Sequence, residues 1–211
     1  MNRGSQFFIS GIRIQAAFTP LLLILALSTG LKSQDRFVTY YEKSGSLETP
    51  RYQETIDYCK LLAESSENIT YTSFGLSPQG RELPLLNADA HGNHSPEEVK
   101  NPGNTVLLIE AGIHPGEIEG KDAGLMFLRD LVIHEKYPGL LDDITILFIP
   151  ILNVDGHERF GPYNRINQNG PVDMGWRTNA QNLNLNRDFL KACTCLLYTS
   201  PSPRDQRPNL V

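Results

Sequence analysis

Cysteine is scarce in this chain, with three in 211 residues. Two of them, Cys193 and Cys195, fall in a terminal stretch with a character of its own. That leaves Cys59 for the main body, and one cysteine makes no disulfide framework. It lies in a helical pattern, where a small core residue is expected. Basic charge is also short: 19 Lys and Arg face 24 Asp and Glu, for a net charge of −5. Residues 34–192 alone carry 14 basic and 23 acidic residues, a net of −9. Such a balance gives no support for a nucleic-acid partner. Long apolar runs are missing as well. The greasiest stretch, AAFTPLLLILALSTG from Ala16 to Gly30, is too short and too loosely flanked for a membrane span. Arg3 and Arg13 precede it, and the small residues Ser28 and Ser33 close it. It reads as the core of a secretory signal covering residues 1–33, cut after Ser33; a retained N-terminal anchor helix is the alternative. The expectation is an exported chain, periplasmic or extracellular, with no stable membrane insertion after the signal is removed.

No internal repeat and no Pro/Ser-rich linker interrupts residues 34–192, so one domain is expected there. TPRYQETIDYCKLLAESSEN, from Thr49, opens with a cap-like Thr and a Pro suited to the first helical position. Tyr52, Ile56, Cys59 and Leu62 then recur at helical spacing. ITYTSFGLS and LPLLNADA flank the turn SPQGRE and predict a hairpin. TVLLIEAG, from Thr105, is a continuous apolar run, as in a strand covered on both faces. The next segment predicts a helix with Leu125, Leu128, Leu131 and Val132 on one face and Lys121, Asp122, Arg129 and Asp130 on the other. ITILFIPILN, from Ile144, is a second buried strand. Strand, helix and strand imply a βαβ unit. The fold class is therefore α/β, with a mixed, largely parallel sheet flanked by helices.

The far end departs from this patterning. CLLYTSPSPRD, Cys195 to Asp205, resembles the translation of a common sequencing-library adapter; a natural Pro/Ser-rich tail is the alternative. Residues 193–211 are accordingly expected not to be native, with the natural sequence stopping near Ala192. Sequencing the source locus without adapters checks this: unbroken genomic codons for Cys195 to Val211 would overturn it.

In open α/β sheets, ligands bind beyond the carboxyl ends of parallel strands. Both buried strands here end in polar, Gly-containing turns. The first is GIHPGE. His114 and Glu117 are three apart, with Pro115 suited to a helix start, so both side chains fall on one side. An imidazole and a carboxylate are ordinary zinc ligands, and a third must come from elsewhere. The plainer reading is a capping glutamate beside an exposed histidine. The second strand leads to NVDGHERFGPYNRINQNG and then WRTNAQNLNLNRDF. Asn186 and Arg187 offer a carboxylate clamp, or Arg187 pairs with Asp188 on the surface. Arg177 can stabilise a tetrahedral oxyanion, or it stacks on a ring.

HPGE, PILNVDG, WR and NLNR, in this order after buried strands, resemble the zinc carboxypeptidase family, the carboxypeptidase A-like metallopeptidases. The resemblance covers roughly Arg51 to Leu190, the N-terminal half of that family's catalytic domain. It implies a Zn2+ cofactor with His114 and Glu117 as two ligands. It further implies Arg177 as the group polarising the scissile carbonyl, and Asn186 and Arg187 as the holders of the substrate's free C-terminal carboxylate. Asn184 stands where many relatives have an aspartate that orients the zinc-bound histidine; an amide oxygen can accept the same bond without charge. The family's third ligand and general-base glutamate lie downstream of NLNR, so the chain as given is expected to be inactive. His134, Glu135, His157 and Glu158 come too early to replace them and are expected to be solvated. The activity implied is removal of C-terminal residues from peptides. A zinc-dependent deacylase or amidase on a related fold, and a non-catalytic binding homologue, are the alternatives.

Overall fold

The computed structural model describes residues 36–93, 95, 98, 104–189 and 191–198. The expected signal and residues 199–211 of the expected non-native tail lie outside the described residues. The chain divides into two compact units, residues 1–38 and 39–211. In the first, the Arg36 guanidinium stands 4.9 Å from the Phe37 ring centre. The second carries everything below. Among the described residues, no helix is long and apolar enough to cross a membrane.

The short helix α1 (Tyr40–Lys43) is closed by a reciprocal cap between Thr39 and Glu42, which satisfies two free amides at its start. Helix α2 (Tyr52–Ser65) begins two residues later than Thr49 and Pro50 suggested. Glu54, in its first turn, takes the Arg51 amide at 2.7 Å and so fixes Arg51 as the cap. Thr49 is engaged elsewhere, donating its hydroxyl to Asp122 at 2.8 Å. The helical spacing itself holds: Ile56, Cys59 and Leu62 are buried.

Strands β1 (Ile69–Leu76) and β2 (Glu82–Ala88) form the expected antiparallel hairpin. Strand β3 (Thr105–Glu110), helix α3 (Glu119–Val132) and strand β4 (Ile144–Ile149) form the βαβ unit, with β3 and β4 parallel from Thr105↔Ile144 to Glu110↔Ile149. The order across the sheet is β1-β2-β4-β3. It is a mixed sheet with helices, as predicted, but among the described strands it is not the largely parallel one expected. Of its three pairings, the β3–β4 pair is parallel; the other two are antiparallel because the hairpin joins β4 through β2.

Two expectations about exposure need correction. β4 is the doubly covered strand, whereas β3 lies at the sheet's edge among the described strands, half-buried, with Leu107 45% exposed. A continuous apolar run signals depth but cannot distinguish a central from an edge position. Likewise, Lys121, Asp122 and Arg129 of α3 are buried rather than solvated. The chain ahead of α2 supplies their partners: Thr49 for Asp122, the Pro50 carbonyl for Lys121 at 2.7 Å, and Glu42 for Arg129. A polar helix face shows polarity, and here it is satisfied inside the protein.

The core beneath the sheet gathers Leu83, Leu147, Ile149, Leu152 and Leu185. Each such fully buried side chain contributes about 1.5–3 kcal/mol. Leu196, within a short C-terminal helix (Cys195–Tyr198), is buried in the same cluster, although it belongs to the segment expected not to be native.

Candidate active site

The site forms where β3 ends. After Glu110 the chain does not enter a helix at once; α3 starts only at Glu119. His114 and Glu117 are held in a tight turn instead, closed by the Glu117 amide donating to the His114 carbonyl at 2.8 Å. The expectation that Pro115 starts the helix is thus corrected, while the two side chains still meet. His114 Nδ1 lies 3.2 Å from Glu117 Oε1. His114 is buried and Glu117 half-exposed.

The other imidazole nitrogen, Nε2, is 3.0 Å from Asn184 Oδ1. That oxygen already accepts the Asn186 amide at 3.1 Å. An atom accepting from a backbone amide is an oxygen, so Nε2 must be the donor. Nδ1 therefore faces the Glu117 carboxylate with either a second proton or a bare lone pair. A lone pair aimed at a carboxylate is repulsive unless a cation lies between them. The spacing falls just short of what one needs: two ligand atoms on a tetrahedral zinc lie about 3.3–3.5 Å apart. In donor chemistry the pair fits a zinc ion as two of its ligands, with Asn184 fixing the ring as an outer partner would. Among the described residues, no cluster of three or more His, Cys, Asp or Glu side chains is arranged to hold a metal.

Two guanidinium groups converge on the same carboxylate oxygen. Arg165 donates to Glu117 Oε1 at 2.7 Å, and Arg177 lies 3.6 Å from it. Burial alone would raise the Glu117 carboxyl, but the Arg165 hydrogen bond and charge, with the neighbouring His114 ring, outweigh it and hold it below the ordinary value. Arg177 reaches this place through close backbone packing. A β-carbon on Gly156 would come 2.4 Å from the Thr178 carbonyl oxygen and 2.8 Å from that of Trp176. Only glycine lets the chain carrying Arg177 pass so near the one-turn helix α4 (Val154–His157). The Asn153 side chain caps that turn by accepting the Gly156 amide at 3.0 Å.

Asn186 and Arg187 sit on a 3-10 turn, Leu185–Arg187, immediately after Asn184. Leu185 anchors the turn in the core, and both polar side chains are exposed. Asp188 takes the Cys193 and Thr194 amides, at 3.1 and 2.8 Å, rather than Arg187. The structure thus brings His114, Glu117, Arg177 and Asn184 together and leaves Asn186 and Arg187 on the adjoining surface.

Of the residues set aside as solvated, Glu135 is exposed, and His134 is half-buried against Asp130 at 2.9 Å. His157 is a correction: it is 1% exposed. Its Nε2 meets the Lys121 ammonium at 3.0 Å and its Nδ1 meets Glu158 at 3.2 Å. Glu158 is half-buried and also accepts the Tyr52 amide at 3.0 Å. Arg165 was missed by sequence reasoning. It sits in a polar, aperiodic loop, and only its charge could have marked it.

The chain belongs to the zinc carboxypeptidase family, whose model matches residues 55–207. Among solved structures, it is similar to a Shewanella denitrificans protein named for carboxypeptidase A. That match has 21% identity and a TM-score of 0.53, covering 70% of this chain and 34% of the other. A Burkholderia mallei protein named for carboxypeptidase matches at 18% identity and a TM-score of 0.50, with the same coverage. These likenesses bear on the fold. The chain spans about a third of the length of the structures it matches.

Proposed function

We propose that this chain carries part of the reaction centre of an exported zinc metallocarboxypeptidase that removes C-terminal residues from peptides. The observation that supports this most is the orientation of the His114 ring. Nε2 is committed as a donor to Asn184, so Nδ1 and Glu117 face each other. His114 and Glu117 would hold the zinc. When bound, zinc supplies Lewis acidity, polarising a carbonyl and making a water molecule a nucleophile near neutral pH.

The remaining residues act around that pair. Asn184 keeps the imidazole ring and its proton in place. Arg177, beside Glu117, donates to the scissile carbonyl oxygen as negative charge builds on it. Asn186 and Arg187 stand ready on the next turn to take a free carboxylate, the guanidinium through two parallel hydrogen bonds. A complete centre also needs a third ligand and a general base, which the resemblance places after the Asn186–Arg187 pair. Export is supported by the pattern of residues 1–33.

The test is Arg187→Ala in the full-length protein. Losing a charge-assisted clamp should lower kcat/KM on peptides with a free C-terminal carboxylate by about 10- to 100-fold. Hydrolysis of C-terminally amidated peptides and zinc content should hardly change. Equal loss on both substrates would remove Arg187 from the role of clamp.

A further inference from the structure

Arg165 stands closer to Glu117 than Arg177 does, at 2.7 Å against 3.6 Å. Its side chain is 16% exposed, and Glu117 is its ion-pair partner among the described residues. The placement does not depend on that attraction alone. The stem of Arg165 lies against Gly116, where a β-carbon would come 2.6 Å from Arg165 Cγ. On one side of it, the Asn164 side-chain amide donates to the Arg159 and Met174 carbonyls, both at 2.7 Å. On the other side, the Gln168 amide donates to the Gly116 carbonyl at 2.6 Å. The segment is strapped over the HPGE turn from both sides, and the guanidinium is delivered to the carboxylate that would ligate the metal.

We propose that Arg165 tunes the metal at this site. By drawing charge from the Glu117 carboxylate, it makes that oxygen a poorer donor. Zinc is then held less tightly and keeps more of its positive charge for the substrate. The inference rests on His114 and Glu117 being the metal pair. The sign follows from electrostatics: a fixed positive charge within reach of a ligand carboxylate repels a divalent cation, by about tenfold in affinity even at the dielectric of water. An acceptor behind a ligand strengthens it, as Asn184 does for His114; a cationic donor does the reverse.

The experiment measures zinc affinity of the full-length protein by chelator competition, together with the visible absorption of its cobalt(II) form. Arg165→Met should bind zinc about tenfold more tightly than the wild type, with shifted cobalt bands. Arg165→Lys, which keeps the charge, should stay near the wild type. Arg165→Gln, which keeps a donor amide and drops the charge, should tighten like methionine and stands in if methionine unsettles the strap. A purely structural role predicts the opposite sign, with weaker zinc as the strap loosens. Unchanged or weaker zinc in the charge-removing variants overturns the proposal. Failure of the metal-pair reading shows separately, as stoichiometric zinc surviving in His114→Ala.

Discussion

His114→Ala in the full-length protein should eliminate stoichiometric zinc and peptidase activity together. The side chain is buried, and it joins the Glu117 turn to the Asn184 turn. Alanine removes the proposed ligand nitrogen and also strands the Asn184 oxygen on one partner. A three-ligand site reduced to two binds zinc weakly. Arg177→Ala forms the contrast. Its guanidinium lies beside the proposed metal pair without belonging to it, so zinc should remain at one equivalent. What it loses is stabilisation of the developing oxyanion, a drop in kcat of about 100- to 1,000-fold. Metal analysis beside steady-state kinetics separates the two cases. Zinc retained in His114→Ala, or lost from Arg177→Ala, would mean the ligand and the electrophilic group have been exchanged or misplaced. Glu117 provides the physical reason to expect the split: it faces His114 Nδ1 on one side and a guanidinium on the other.

The features legible in the sequence were those with a period or a short-range cause. The βαβ unit could be read because two apolar runs bracket a helical repeat. The hairpin could be read because Pro78 and Gly80 sit between an alternating stretch and a second strand-like one. His114 and Glu117 were found because a three-residue spacing joins them in almost any compact turn, which is why the pair survives although the helix starts later than expected. Asn184 followed from the order of motifs, and its contact with His114 spans 70 residues of chain. Arg165 had no such marker, because its loop has no period and the strap that aims it is made of backbone carbonyls. Exposure was the weakest inference. Lys121 and His157 look like surface residues in one dimension, and they became buried because the chain before α2 and the end of α4 close over the same face of α3.

That buried cluster gives the protein an expected weakness in acid. His157 is held neutral: burial, with the Lys121 ammonium beside it, pushes its imidazolium form down to about 3 from an ordinary value near 6.5. Burial would raise Glu158, but hydrogen bonds from His157 and the Tyr52 amide outweigh it and hold that carboxyl at about 2. In the unfolded chain His157 takes up a proton as pH falls through 6.5, while in the folded chain it does so only near 3. Between these values the unfolded state binds more protons, so stability is complete above about 6.5 and is lost progressively as pH falls toward 3. At pH 4.5 the loss from His157 alone is about 3 kcal/mol, a large share of a typical domain's total. Lys121 adds a signature at the other end. Burial lowers its ammonium to about 8 from 10.5, so the cost of burying that charge is present at neutral pH and is relieved as pH rises from about 8 to 10.5. Urea unfolding of the full-length protein from pH 4.5 to 10 measures both slopes. His157→Gln offers Glu158 a donor and Lys121 an acceptor while removing the titration, and it should flatten the acid limb between pH 6.5 and 4.5. If wild type and His157→Gln lose the same stability over that interval, the acid sensitivity comes from other groups and the Lys121–His157–Glu158 cluster is not its origin.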